Sequence, residues 1–303
     1  MVRESRRPGD ARAQFNLGVL YRDGLSVPQD YATARQWFEK AAVQGDAEAQ
    51  YNLGFLYHMG QGVPQDYAKA RGWYEKAATQ GYAGAQLQLG TLYDSGQGVQ
   101  RNYTTARRLY EQAAAQGQAE AQGNLGTLYA HGLGVLQDYE KARQWWEQAA
   151  AQGNAKAQYN FGALYAQGLG VPQDYAKARQ WFEQAAAQGY ARAQYNLGVL
   201  YANGLGEPQD YEKARQWYEQ AAAQGIAQAQ SNLGFLYANG KGVPQNYVHA
   251  YLWWSLAAGH STGNDQKLAV EYQDQVARSM TPAQIAEAQR LAQQCQAQQF
   301  KGC

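Results

Sequence analysis

From Ala155 to Gly189 the chain reads AKAQYNFGALYAQGLGVPQDYAKARQWFEQAAAQG, and nearly the same sentence is written seven times. One glycine marks the period: Gly18, Gly54, Gly90, Gly126, Gly162, Gly198 and Gly234 stand 36 residues apart without a slip. A unit of this length is too small to bury its apolar face alone and covers it against its neighbours, which is the signature of a helix-turn-helix solenoid. The expected fold is therefore all-α: about seven 36-residue repeats, starting near residues 11, 47, 83, 119, 155, 191 and 227. Residues 1–10 read as a polar leader, and the unbroken register from 11 to 262 predicts one continuous domain. A C-terminal segment, 263–303, follows it.

Within a unit, Ala49, Leu53, Leu56 and Tyr57 fall on one helical stripe and predict a first helix over Ala47–Met59. Gly60-Gln61-Gly62 stops it and Val63-Pro64 carries the chain across in extended form. Asp66 stands where an N-cap belongs, before a second helix from Tyr67 to about Gln80 that Gly81 ends. Gly54 and its equivalents lie inside the first helix, where glycine costs roughly 1 kcal/mol relative to alanine. A cost carried seven times implies a close approach between the paired helices. Tyr57 and Tyr67 with their equivalents are expected to fill the space between units. The series Trp37, Trp73, Trp145, Trp181, Trp217 and Trp253, with Leu109 in third place, is expected to be core. Arg71 and Glu75, recurring in most units, predict ion pairs on a solvated outer face. After the repeats, two capping helices are expected over Asp265–Ser279 and Ala283–Gln298, with Thr281 as cap and Pro282 as the first helical residue.

Taken together, AxAQxxLGxxYxxGxGVxQDYxKAxxWYEKAAxQG resembles the Sel1-like repeat family, relatives of the tetratricopeptide repeats with a longer loop between helices. The resemblance covers about four fifths of the chain. It implies a right-handed α/α superhelical solenoid acting as a non-enzymatic adaptor that binds a protein or peptide, and, since many bacterial members are exported, a periplasmic or secreted location. A cytoplasmic location is the alternative, because MVRESRRPGD lacks the apolar core of a signal peptide. A structural or self-assembling spacer is the competing function.

Composition and motifs narrow the field further. The net charge of +1, without a long basic run, gives no support to a nucleic-acid surface. No apolar run approaches the ~18 residues of a transmembrane helix. His58, His131, His249 and His260 sit in different units without metal-ligand spacing, so neither a metal nor another cofactor is expected, and a monomer is. Some members of the family have carried a β-lactamase label. That chemistry would need a Ser-x-x-Lys, and no serine here is followed three places on by lysine.

By analogy with tetratricopeptide solenoids, the second, fifth, ninth, twelfth and thirteenth residues of each unit should face a groove, and these vary while Gln50, Leu53, Gly54 and Leu56 hardly change from unit to unit. The candidate groove residues are Arg12, Phe15, Glu48, Tyr51, Phe55, His58, Lys156, Tyr159, Arg192, Tyr195 and Phe235, the aromatics as anchors and the charges for orientation. Drift on an exposed face would produce similar variation. The only two cysteines, Cys295 and Cys303, stand at the extreme end and are expected to pair if the protein works outside the reducing cytosol.

Overall fold

The computed structural model describes residues 9–298 and residue 300. Among them are sixteen helices and no strand. The first helices of the seven repeats are α1 (Ala11–Asp23), α3 (Ala47–Met59), α5 (Ala83–Ser95), α7 (Ala119–His131), α9 (Ala155–Gln167), α11 (Ala191–Asn203) and α13 (Ala227–Asn239). Their partners are α2 (Tyr31–Val43), α4 (Tyr67–Thr79), α6 (Tyr103–Ala115), α8 (Tyr139–Ala151), α10 (Tyr175–Ala187), α12 (Tyr211–Ala222) and α14 (Tyr247–His260). Two further helices, α15 (Gly263–Ala277) and α16 (Pro282–Ala297), pack on α14.

The contacts group the chain into two compact units, Met1–Gln152 and Gly153–Cys303, where the unbroken register predicts one. In a repeat array each member packs mainly on its neighbours, so the division falls in a turn, between α8 and α9. Inside each unit the same two interfaces recur. The two helices of a repeat pack together, and the second packs on the first helix of the next repeat, as α4 does on α5 and α12 on α13.

Local chemistry explains the regular boundaries. Asp30, Asp66, Asp138, Asp174 and Asp210 cap the second helices by accepting from their first free amides, and Asn102 and Asn246 do so in the third and seventh repeats. These carboxylates sit below the usual range. For Asp66, Asp138, Asp174 and Asp210 the leading cause is the bond from the backbone N–H three residues on. The loop is tied back to the first helix as well, Asp66 N donating to Tyr57 O at 2.9 Å and Asn246 N to Tyr237 O at 2.9 Å. At the C-terminal end, Thr281 forms a capping box with Gln284 ahead of Pro282, as the sequence predicts.

The glycine inside the first helix is explained by one buried ring. A Cβ on Gly54 would stand 2.8 Å from the Tyr74 ring and 3.2 Å from Ala70 O. The same clash recurs with Phe38, Tyr110, Trp146, Phe182, Tyr218 and Trp254. This second-helix series forms the core, with Ala49, Leu53, Leu56 and Ala70. The residues just before it, Trp37, Trp73, Trp145, Trp181 and Trp217, are only half-buried; Leu109 and Trp253 are buried. The core expectation for the tryptophans is thus corrected by one position: the ring that meets the glycine floor is the following residue, and the indole lies at the margin between repeats.

A second glycine is fixed by backbone proximity. Gly62 has φ +65, and a Cβ there would overlap the Tyr31 carbonyl carbon of the preceding repeat. Ser26 occupies this place in the first repeat with φ 63.

Each unit also contains a polar ladder. Gln50, Gln86, Gln122, Gln194 and Gln230 are buried, and each donates to an alanine carbonyl eight residues back, Gln50 to Ala42 O at 3.0 Å. Each accepts in turn from the residue thirty positions on. Gln80 donates to Gln50 at 2.9 Å and Gln224 to Gln194 at 2.8 Å, while His260 meets Gln230 at 3.0 Å in the last repeat. Arg35-Glu39, Arg71-Glu75 and their equivalents pair on the partly exposed outer side, as the spacing predicts.

Candidate binding face

Within each unit, contacts link successive first helices, α1 with α3 and α11 with α13. In the first unit Arg12 on α1 pairs with Glu48 on α3 at 3.0 Å, which neutralises both. Arg22 also donates to Asn52 across the same two helices. Tyr51 stacks among Phe55, Tyr74 and Tyr82, with ring centroids 6.5, 5.9 and 5.1 Å away, and burial pushes its phenol up. Beside it, Gly84, Leu87 and Glu120 border an open depression of about 650 Å³. His58 lies half-buried 3.4 Å from the Tyr74 hydroxyl, and burial holds its imidazole below the usual value. Phe15 does not reach this surface. It is 8% exposed and packs on Phe38 at 5.8 Å, so it belongs to the core rather than to the anchors.

In the second unit the face is built differently. Lys156 on α9 and Arg192 on α11 are exposed, and among the described residues neither has an ion pair. Tyr159 packs between Phe182 and Tyr190, at 5.7 and 5.2 Å. Tyr195 lies 6.0 Å from Tyr218; burial raises its phenol while a bond to Asn232 pulls the other way. Phe235 remains 36% exposed although its ring meets Tyr272 edge-on at 4.6 Å and Trp254 at 5.3 Å.

These last residues converge on a cleft of about 220 Å³ lined by Tyr195, Ser231, Asn232 and Phe235 from the repeats and by Leu268 and Tyr272 from α15. Leu268 is 45% exposed at its edge. Sequence reasoning identified Tyr195 and Phe235 but missed the contribution of α15, because a helix outside the repeat gives no position to compare. The spacing of Leu268 and Tyr272, one turn apart, was the available signal.

Among the described residues no group of three or more His, Cys, Asp or Glu side chains is placed to hold a metal ion, and no helix is long and apolar enough to cross a membrane. Cys295 is 3% exposed near the end of α16. Cys303 lies outside the described residues, and so does its proposed bridge.

Paired helices in register, stacked through a recurring interface, define an α-helical repeat protein. The family model described as Sel1 repeat matches residues 11–46, 47–82, 83–118, 119–154, 155–190, 191–226 and 227–261, and the chain belongs to the Sel1 repeat family. It is similar to the solved Sel1 repeat protein from Oxalobacter formigenes, with 38% identity and a TM-score of 0.72 over 88% of this chain and 76% of that one. It is also similar to c5321, described as a protective antigen present in uropathogenic Escherichia coli strains displaying an SLR fold. There the identity is 33% and the TM-score 0.62, over 96% of this chain and 70% of that one. No curated protein sequence matches the chain.

Proposed function

We propose that this protein is a non-enzymatic binding module whose first-helix face holds an extended or helical segment of a partner protein, with the cleft at α13 and α15 as its anchor point. The observation that carries the reading is the convergence of two variable repeat aromatics, Tyr195 and Phe235, with Leu268 and Tyr272 on one open, largely apolar cleft that Asn232 and Asp265 also border. Interface energy concentrates in aromatic anchors that fill such pockets. The free charges of Lys156 and Arg192 on the same unit would favour an acidic stretch of the partner and make association sensitive to salt. Sel1 repeat proteins commonly serve as protein-interaction modules, which agrees with this reading, and the export implied by the family would place the binding outside the cytosol.

The test uses a photo-reactive residue in place of Ser231, inside the cleft, and in place of Gln180 on the outer side of α10, each exposed to an extract of the native organism. The proposal expects one protein to be covalently captured from position 231 and not from position 180. Capture of the same proteins with equal yield from both positions would remove the cleft from the binding site.

A further inference from the structure

Six of the seven repeats carry a tryptophan at one position of the second helix, and the third carries Leu109. In several repeats the indole rests on the same bed. Trp73 packs on the cluster containing Ala42 and Leu53, Trp145 on the cluster containing Ala114 and Leu125, and Trp217 on the cluster containing Ala186 and Leu197. Trp181 lies 5.0 Å from Phe161, the residue that replaces this leucine in the fifth repeat. In the third repeat the bed is kept, as Ala78 and Leu89, but the ring is missing. A pocket of about 280 Å³ opens there between α4, α5 and α6, bordered by Glu75, Leu89, Tyr93, Arg108 and Leu109. A cavity of about 150 Å³ can take up benzene, so by volume this open, partly polar pocket has room for a two-ring indole.

The rim changes along with the floor. Glu75 is held by Arg71 at 3.4 Å. Arg108 is exposed and has no ion pair among the described residues. Four repeats place glutamine where Arg108 stands, as Gln36, Gln144, Gln180 and Gln216, so Arg-Leu replaces Gln-Trp in the third repeat alone. One substitution puts the smaller Leu109, itself buried beside Leu89, where the ring would lie and leaves the pocket next to it, and the other adds a positive charge at its mouth. A ring in this position also accepts a cation elsewhere in the chain, with Lys76 Nζ 3.9 Å from the Trp73 centroid and Lys40 Nζ 4.1 Å from that of Trp37.

We infer that the pocket at Leu109 takes the indole of a tryptophan from a partner polypeptide, with an acidic residue beside that tryptophan meeting Arg108. The other repeats supply this indole from their own sequence; the third accepts it from outside. The pocket lies between α4, α5 and α6 and includes none of the residues of the α13–α15 cleft, so it stands or falls separately from the proposed function.

Titration of the full chain with N-acetyl-aspartyl-tryptophan amide, followed by ligand-observed NMR, tests it. Binding is expected for the unaltered protein. The alanyl counterpart of the peptide should bind about tenfold or more weakly, as for loss of an aromatic anchor, and Arg108→Gln should weaken binding of the tryptophan peptide. Leu109→Trp, which restores the repeat pattern, should abolish binding while keeping or raising Tm. Leu109→Phe provides a smaller plug should the tryptophan variant fail to fold. Absence of binding to the unaltered protein up to about 10 mM peptide, a range that still registers weak contacts, would overturn the inference. So would unchanged binding to either folded plugging variant.

Discussion

The indole of Trp146 lies directly over Gly126, so closely that a Cβ on the glycine would overlap both Cδ1 and Nε1 of the ring. The ring cannot swing aside freely, because it is buried and its Nε1 donates to Gly123 O at 3.0 Å. Gly126→Ala is therefore expected to destabilise by about 1–3 kcal/mol through overpacking, although alanine is intrinsically the better helix former by about 1 kcal/mol. Gly72 in α4 is the matched control, because a methyl added there would meet no atom within 4 Å. Gly72→Ala should stabilise by about 0.5–1 kcal/mol. Urea unfolding of both variants checks the pair, and a Gly126→Ala protein at least as stable as the unaltered one would refute the close crossing.

The capping aspartates set the acid limit of the fold. Their folded pKa values lie below the unfolded value near 4, so the stability they contribute is complete above about pH 5 and is lost as pH falls through the unfolded and then the folded value. Tm should hold steady down to about pH 5 and decline below it. Asp174→Asn keeps an acceptor for the Lys177 amide, as Asn102 and Asn246 already do in their repeats, but cannot be protonated. Its Tm should fall less than that of the unaltered protein between about pH 4 and pH 2; an identical acid slope would show that this cap carries no linkage.

The glutamine ladder predicts a cost for an apolar replacement of nearly the same size. Gln50→Leu removes the bond to Ala42 O and the acceptor for Gln80. Loss of these bonds should reduce stability by about 1–2 kcal/mol, measured by chemical denaturation. Stability equal to or above that of the unaltered protein would mean that the ladder is merely tolerated.

At the C-terminus, α16 ends at Ala297, and Phe300 then takes φ 63 while its N–H donates to Cys295 O at 2.8 Å. The helix thus ends before Cys303, as a bridge would require: an unbroken helix would hold residues eight apart at about 12 Å, beyond the ~7 Å reach of a disulfide. Protein isolated from its native source without reductant is expected to show no reactive thiol by titration. Two titratable thiols would exclude the Cys295–Cys303 pair.

Much of this architecture was legible because the sequence compares itself with itself. The recurrence of Gly54 and the cap at Asp66 gave the helices, and the spacing of Arg71 and Glu75 gave the outer ion pairs. What escaped was which of two adjacent aromatics faces inward: Trp73 and Tyr74 differ by about 100° on the helix, and only packing against Gly54 decides between them. Gln50 was visible as unchanging, but its role needs partners eight residues back and thirty ahead. Phe15 matched the groove position yet is buried on Phe38, whereas its counterparts Tyr51 and Tyr195 remain half-exposed. The cleft depends on Leu268 and Tyr272, which lie outside the repeat and so have no equivalents to reveal them.

The first-helix face is tested most directly by the affinity of a partner captured at position 231, compared across Tyr195→Ala, Phe235→Ala and the outer-face variant Arg179→Ala, each verified as folded by its Tm. The account predicts about tenfold or greater loss for the two aromatic variants, as expected of anchors in a pocket, and an unchanged Kd for Arg179→Ala. Equal affinities for all three would contradict it.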